Sequence, residues 1–241
     1  MRKKLIGFGL LVLGIFSLAL QGVVAYRGVP GPSPVAQVSY SAPLSEEEAS
    51  SLLYMIEEEK LARDVYLKLY NETGLIIFDR IAQSEQRHMD AVLRLIEKYN
   101  LTKPDTLNEI GIFENEELQN LYNELVEMGS QSVVDALRVG ALIEETDIKD
   151  LEEWIAKVDN VDIKQVYENL MAGSENHLRA FVRNLEAQGV TYTAQVLPQE
   201  QVDEILSGHN WHMHMKGRGH GHMRGSGWNR GNGWWQMNVG G

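Results

Sequence analysis

Glu85 and His88 stand three residues apart in the run Ser84-Glu85-Gln86-Arg87-His88. On a helix that spacing places both side chains on one face, a single turn from each other. The rest of the face is apolar: Phe78, Ile81, Val92, Leu95 and Tyr99 recur at the three- and four-residue steps of a buried stripe. A glutamate and a histidine placed where leucine is expected call for a chemical reason. A buried carboxylate is costly unless it is paired or coordinated.

The same feature recurs on three other helical patterns. Glu59 interrupts the stripe Leu52, Met55, Ala62, Tyr66, Leu69. Glu144 interrupts Val134, Leu137, Ala141, Ile148, Leu151, Ile155. His177 lies in Tyr167, Leu170, Ser174, Phe181. Taken singly, an inward Glu is commonly a boundary residue whose head reaches water, and an inward His a hydrogen-bonded core residue. Four helices carrying such residues near mid-length are harder to explain that way. Three carboxylates converging in one core would repel each other and be driven toward protonation. A divalent or trivalent cation removes that cost. Carboxylate oxygen with imidazole nitrogen suits iron, with manganese and zinc as alternatives, and does not suit soft copper(I).

The elements that must position these residues are all helical. Ser45 and Glu48 form a capping-box pair that opens a first helix running to about Tyr70, with Gly74 at its turn. A second helix spans Ile76 to Tyr99. A long connection from Asn100 to Ser130, broken by Pro104 and Gly111, contains a short helix over Glu116–Glu127. Such a connection can join helices that are not antiparallel neighbours. A third long helix covers Ser132 to Val158 and a fourth Asp162 to Gln188. Thr191–Leu197 is expected to be extended, and Pro198–Leu206 a short helix. No strand signal is strong.

These residues carry a resemblance. Glu59-Lys60-Leu61-Ala62-Arg63-Asp64-Val65-Tyr66 resembles the first-helix motif of rubrerythrin-like members of the ferritin-like superfamily, where a ligand Glu precedes Ala-Arg and a Tyr. Glu85-x-x-His88 is similar to their second-helix motif. Gly140 with Glu144 resembles the third, and His177 with Phe181 the end of the fourth. From about Leu52 to Gln195 the chain looks more specifically like a group of ferritin-like domains with no assigned function. The resemblance implies an all-α, ferritin-like four-helix bundle, with a long connection containing a short helix between helices two and three. It implies a metal site of Glu59, Glu85, His88, Glu144 and His177.

One position departs from the family pattern. Where a Glu is expected three residues before the fourth-helix His, this chain has Ser174. Glu175 is one residue on, rotated by about 100°. Three Glu and two His remain, one carboxylate short of the usual two-metal site. Asp147, three after Glu144, could supply the missing oxygens, and Glu145 is a weaker alternative. Otherwise the site holds one metal, binds a second weakly, or holds none. Tyr66 and Tyr167 are placed to lie beside the site, although stripe aromatics are usually packing. Arg63, Arg87 and Arg179 read as surface residues or partners of carboxylates.

The two ends differ from the body. The 241-residue chain has a net charge of −12 and no Cys, which excludes disulfides, thiolate metal sites and Cys nucleophiles. Four uncompensated cations precede Glu46 and four follow Glu204, so the body between them carries −20. That balance argues against a nucleic-acid partner. Arg2-Lys3-Lys4, the apolar run Leu5–Leu20 and the small residues up to Ala25 read as an export signal over 1–25, with an uncleaved anchor as the alternative. A membrane would be met only through that segment. Residues 26–43 read as a Pro/Gly linker and 44–207 as the bundle. Residues 208–241 form a His/Met/Trp/Gly-rich tail, expected to be disordered when free. His209, His212, His214, His220 and His222, with Met213, Met215 and Met223, could bind copper or nickel there.

The expected protein is therefore exported and extracytoplasmic. Its metal-dependent oxidoreductase activity on ferrous iron, peroxide or dioxygen rests on the family resemblance. A non-enzymatic metal carrier using the tail, and a metal-free structural bundle, are the competing readings. Metal ions are the expected partners, together with a small oxidant. A homodimer is expected from family habit.

Overall fold

In the computed structural model, residues 43–208 are described; the expected export signal, the linker up to residue 42 and the tail histidines from His209 onward lie outside them. Among the described residues the chain forms α1 (Glu46–Thr73), α2 (Ile76–Lys98), a 3-10 turn (Asp105–Asn108), α3 (Glu116–Gly129), α4 (Val133–Ile155), α5 (Val161–Ala187) and α6 (Gln199–Leu206), with no strand.

The local signals act as expected. Ser45 caps α1 with Glu48 in a reciprocal capping box, and Gly74 ends the helix in the left-handed conformation, its N–H bonded to the Tyr70 carbonyl. The side chains of Asn115 and Ser132 cap α3 and α4. The four long helices pack chiefly as two pairs, α1 on α2 and α4 on α5. Across the pairs, α2 packs on α5 and α1 on α4, so α2 and α4, which the long connection joins, are not packing partners. Thr191–Leu197 is irregular rather than a strand, and no partner strand is present among the described residues.

Helix α1 departs most from a one-sided stripe: every residue from Met55 to Tyr66 is buried. The connection accounts for this. Lys60, with no exposed surface, donates from Nζ to Asp64 at 2.7 Å and to the Ile112 carbonyl at 2.9 Å, and lies over the Phe113 ring. Asp64 also accepts from Arg63 Nε and Gly111 N–H. Arg63 reaches Gln86 and the Leu107 carbonyl. Glu57 accepts from Glu114 N–H at 2.7 Å. The connection is thus fastened along the outer face of α1 by buried charge-assisted hydrogen bonds.

Candidate metal centre

The inner face of α1 meets the other long helices at the five residues singled out by type and spacing. His88 Nδ1 lies 2.7 Å from Glu85 Oε2 and 3.1 Å from Glu59 Oε2. His177 Nδ1 lies 2.8 Å from Glu85 Oε1 and 3.4 Å from Glu144 Oε2. Two triads result, Glu59–Glu85–His88 and Glu85–Glu144–His177, each with its potential ligand atoms within 4.8 Å of one another. Glu85 belongs to both, one oxygen toward each. The imidazoles lie side by side, ring centroids 5.6 Å apart.

Small residues and one aromatic cluster set this geometry. A Cβ at Gly173 would fall 2.6 Å from His88 Cε1 and Nε2, so α5 approaches His88 only because that position is glycine. One turn from Glu144, Gly140 leaves room for the Phe181 ring, which would lie 2.4 Å from a Cβ there. Phe181 packs on Tyr66 and Phe78, with centroids at 5.2 and 5.5 Å, and closes that side of the site with fully buried rings. The Tyr66 hydroxyl donates to Glu144 Oε1 at 2.6 Å.

The electrostatics are unbalanced. Burial pushes the Glu59 carboxyl up to about 7 against the opposing pull of His88. Burial, with the charge of Glu85, also raises Glu144. Burial alone would raise Glu85, but the charges of His177 and His88 outweigh it and hold that carboxyl below the usual range. Burial disfavours both imidazolium ions, yet Glu59 and Glu85 carry His88 up to about 12, and Glu85 and Glu144 carry His177 up to about 10. Even with protons on both rings, two positive charges face three carboxyl groups.

Several polar atoms find no hydrogen bond even so. Glu59 Oε1, Glu85 Oε1 and His177 Nδ1 are buried without one. Glu85 Oε1 and His177 Nδ1 nevertheless attract each other as an ion pair across 2.8 Å when the ring is protonated. Buried orphans are uncommon and expensive. Carboxylates and imidazoles gathered in two triads are the donor types that iron, manganese or zinc take.

The other expected participants are distributed as follows. Asp147 on α4 is buried at the edge of the site, where it accepts a short hydrogen bond from Ser174 Oγ; its Oδ1 has no hydrogen-bond partner. Glu145 is not available to a metal. It turns away and accepts from the Tyr192 hydroxyl and the backbone N–H groups of Gln195, Val196 and Leu197, pinning the segment after α5. Glu175 turns toward Arg179, 3.2 Å away, and Arg179 also donates to the Ile205 carbonyl. Tyr167 is beside Ser51, 2.8 Å from its hydroxyl, near the start of α1, and not beside the ligands. Arg87 is exposed. Sequence reading passed over Glu58, which is buried and carried well above its usual range by burial and by the charges of Asp150 and Asp147. Its signal was the run Glu57-Glu58-Glu59: three consecutive acids on a helix point in three directions, and on a helix covered all round each needs its own partner.

Comparison with known proteins places the chain among relatives. Residues 48–209 match the family model described as an uncharacterized protein domain, DUF2202. The chain is 59% identical over 165 residues to the uncharacterized protein MJ0754 of Methanocaldococcus jannaschii, covering 68% of this chain and 89% of the relative. The crystal structure of hypothetical protein MJ0754 from that archaeon superposes with a TM-score of 0.68 at 58% identity, over 70% of this chain and 96% of the other. With two thirds of its length matched and this fold shared, the chain belongs to the DUF2202 family.

Proposed function

We propose that this protein is an exported, metal-binding member of the ferritin-like superfamily, with a non-haem iron site that reacts with ferrous iron, peroxide or dioxygen. The observation that carries the metal reading is the pair of buried triads sharing Glu85, with orphaned oxygen and nitrogen atoms turned toward each other. The ferritin-like assignment is supported by the order of ligands, with Glu59, Glu85-x-x-His88, Glu144 and His177 each on one of four long helices. The export reading rests on the basic and apolar pattern of residues 1–25.

In this reading Glu59 and His88 hold one position, Glu144 and His177 the other, and Glu85 spans both. Bound iron would supply redox chemistry, two ferrous ions holding the two electrons that convert one peroxide and two protons into two waters. Tyr66 fixes the orientation of Glu144 through its hydroxyl. Phe78 and Phe181 exclude water from one side. A cavity of about 30 Å³ between α1, α3 and α4, bordered by Leu61, Ala62, Leu118, Leu125, Ile143 and Asp147, has room for only a few atoms. None of the five residues borders it, and it meets the site only at Asp147.

The test is anaerobic reconstitution of the full chain with ferrous iron, followed by mixing with peroxide or with dioxygen. About two equivalents should bind to the wild type in excess of Glu85→Ala, and ferric iron should form faster in the wild type. Equal iron content in wild type and Glu85→Ala would overturn the metal reading. Binding without accelerated oxidation would leave a metal carrier.

A further inference from the structure

We propose that Asp147 is a ligand of the metal centre and that Ser174 is its positioning residue, so that the carboxylate absent from α5 is supplied from α4. The inference rests on the metal reading above and goes beyond the five residues assigned there. Ser174 occupies the inward position of α5 one turn before His177, where a carboxylate would face the site. A hydroxyl stands there in place of a carboxylate. It donates instead to Asp147 Oδ2 across the α4–α5 contact. One carboxylate oxygen is thereby fixed, and the other, Oδ1, is left buried and without a hydrogen bond.

The position of Asp147 suits a residue that serves both triads. Its carboxyl experiences the charges of Glu59 and Glu144, one member from each, and more weakly that of Glu85. Glu85 spans the triads from α2, and Asp147 approaches the same pair from α4. Asp147 stands outside the two groups whose ligand atoms lie within 4.8 Å. It is the carboxylate that a second ion would draw in, while the first position is complete without it. A buried acid with one oxygen oriented and the other without a hydrogen bond is costly unless something coordinates it.

Manganese(II) titration of the full chain, following the free-ion paramagnetic resonance signal, reads stoichiometry without any turnover. Binding by Glu85→Ala defines the contribution of the tail. The wild type should hold two ions above that baseline. Asp147→Asn, nearly isosteric, should keep the first and weaken the second by roughly 10–100-fold. Ser174→Ala should weaken the second by less. Combining Asp147→Ser with Ser174→Glu, which moves the carboxylate to α5, should restore it, and a merely structural role for Asp147 predicts no such rescue. Wild-type affinity for both ions in Asp147→Asn would overturn the inference and leave the metal reading standing. So would a wild type that holds one ion above baseline. A wild type with none above baseline would overturn both.

Discussion

Within two turns of α1 the chain buries two groups of charges and treats them in opposite ways. On the outer face Lys60, Arg63 and Asp64 are paired with each other and with the connection between α2 and α3, and donors meet acceptors throughout. On the inner face Glu59 joins Glu85 and Glu144 around two imidazoles, with Asp147 outside the two triads, and four buried atoms, Glu59 Oε1, Glu85 Oε1, Asp147 Oδ1 and His177 Nδ1, find no hydrogen bond. Both groups are buried, apart from the half-buried His88. Burial of charge therefore does not by itself mark a candidate site; failure to pair it within the protein does. The outer group fastens the fold, and the inner group keeps buried atoms without hydrogen bonds, which is the ground for the metal site proposed above.

Four experiments would break or sharpen that contrast. The largest effect belongs to the outer face. Asp64→Ala leaves the Lys60 ammonium buried without its carboxylate, and denaturant unfolding should register a loss of about 3–5 kcal/mol. Glu59→Gln on the inner face, measured with chelator present, should cost far less or stabilise. Comparable losses in the two variants would erase the distinction.

Metal supplies the next effect. At an ion concentration about 100 times the dissociation constant, the wild type should gain about 2.7 kcal/mol of stability. Glu85→Ala should lose that gain altogether, because both triads need this residue. Glu59→Gln and Glu144→Gln should each lose only part. Thermal unfolding with and without ferrous iron or manganese reads the difference.

The third effect is on pH. In the metal-free protein His177 and His88 are carried up to about 10 and about 12 from an ordinary value of 6.5. Raised folded-state values mean that these rings contribute stability that is complete below about pH 6.5 and is lost as the pH rises through 10 and 12. Added metal must displace those protons, so binding should release protons and its apparent affinity should fall as the pH falls. Calorimetric titration in two buffers of different ionisation enthalpy counts the protons; zero release would show that the rings are not the ligands.

The smallest effect is steric. Gly173→Ala places a Cβ against His88, and the ring must shift to accommodate it. Metal affinity at the Glu59–Glu85–His88 position should fall by roughly 10-fold, with the Glu144–His177 position spared. Uniform weakening of both would mean that Gly173 acts on the packing of the helices as a whole.

Much of this was legible beforehand. Capping residues, glycines and the 3.6-residue period place the helices of the described region, with boundary differences of a few residues: α1 runs on to Thr73, and α4 stops at Ile155 where Tyr70 and Val158 were expected. The same period identifies Glu59, Glu85, His88, Glu144 and His177 as inward. It does so because a helix fixes each side chain's angle about its own axis, and a polar residue in an apolar stripe is visible one helix at a time.

What periodicity cannot supply is the axial offset and rotation of one helix against another. Those depend on contacts between residues far apart in sequence, such as Gly173 against His88 and Gly140 against Phe181. Only the tertiary structure decides that Glu85 is shared by two triads, that Tyr66 reaches Glu144 while Tyr167 is drawn to Ser51, and that Glu145, a single residue from Glu144, is consumed by the segment after α5. It also decides that α1 is covered on every side, because the connection folds back over Lys60 and Asp64. The sequence by itself determined which residues face inward; the packing of the helices determined which of them meet, because a meeting requires two elements to agree in depth as well as in direction.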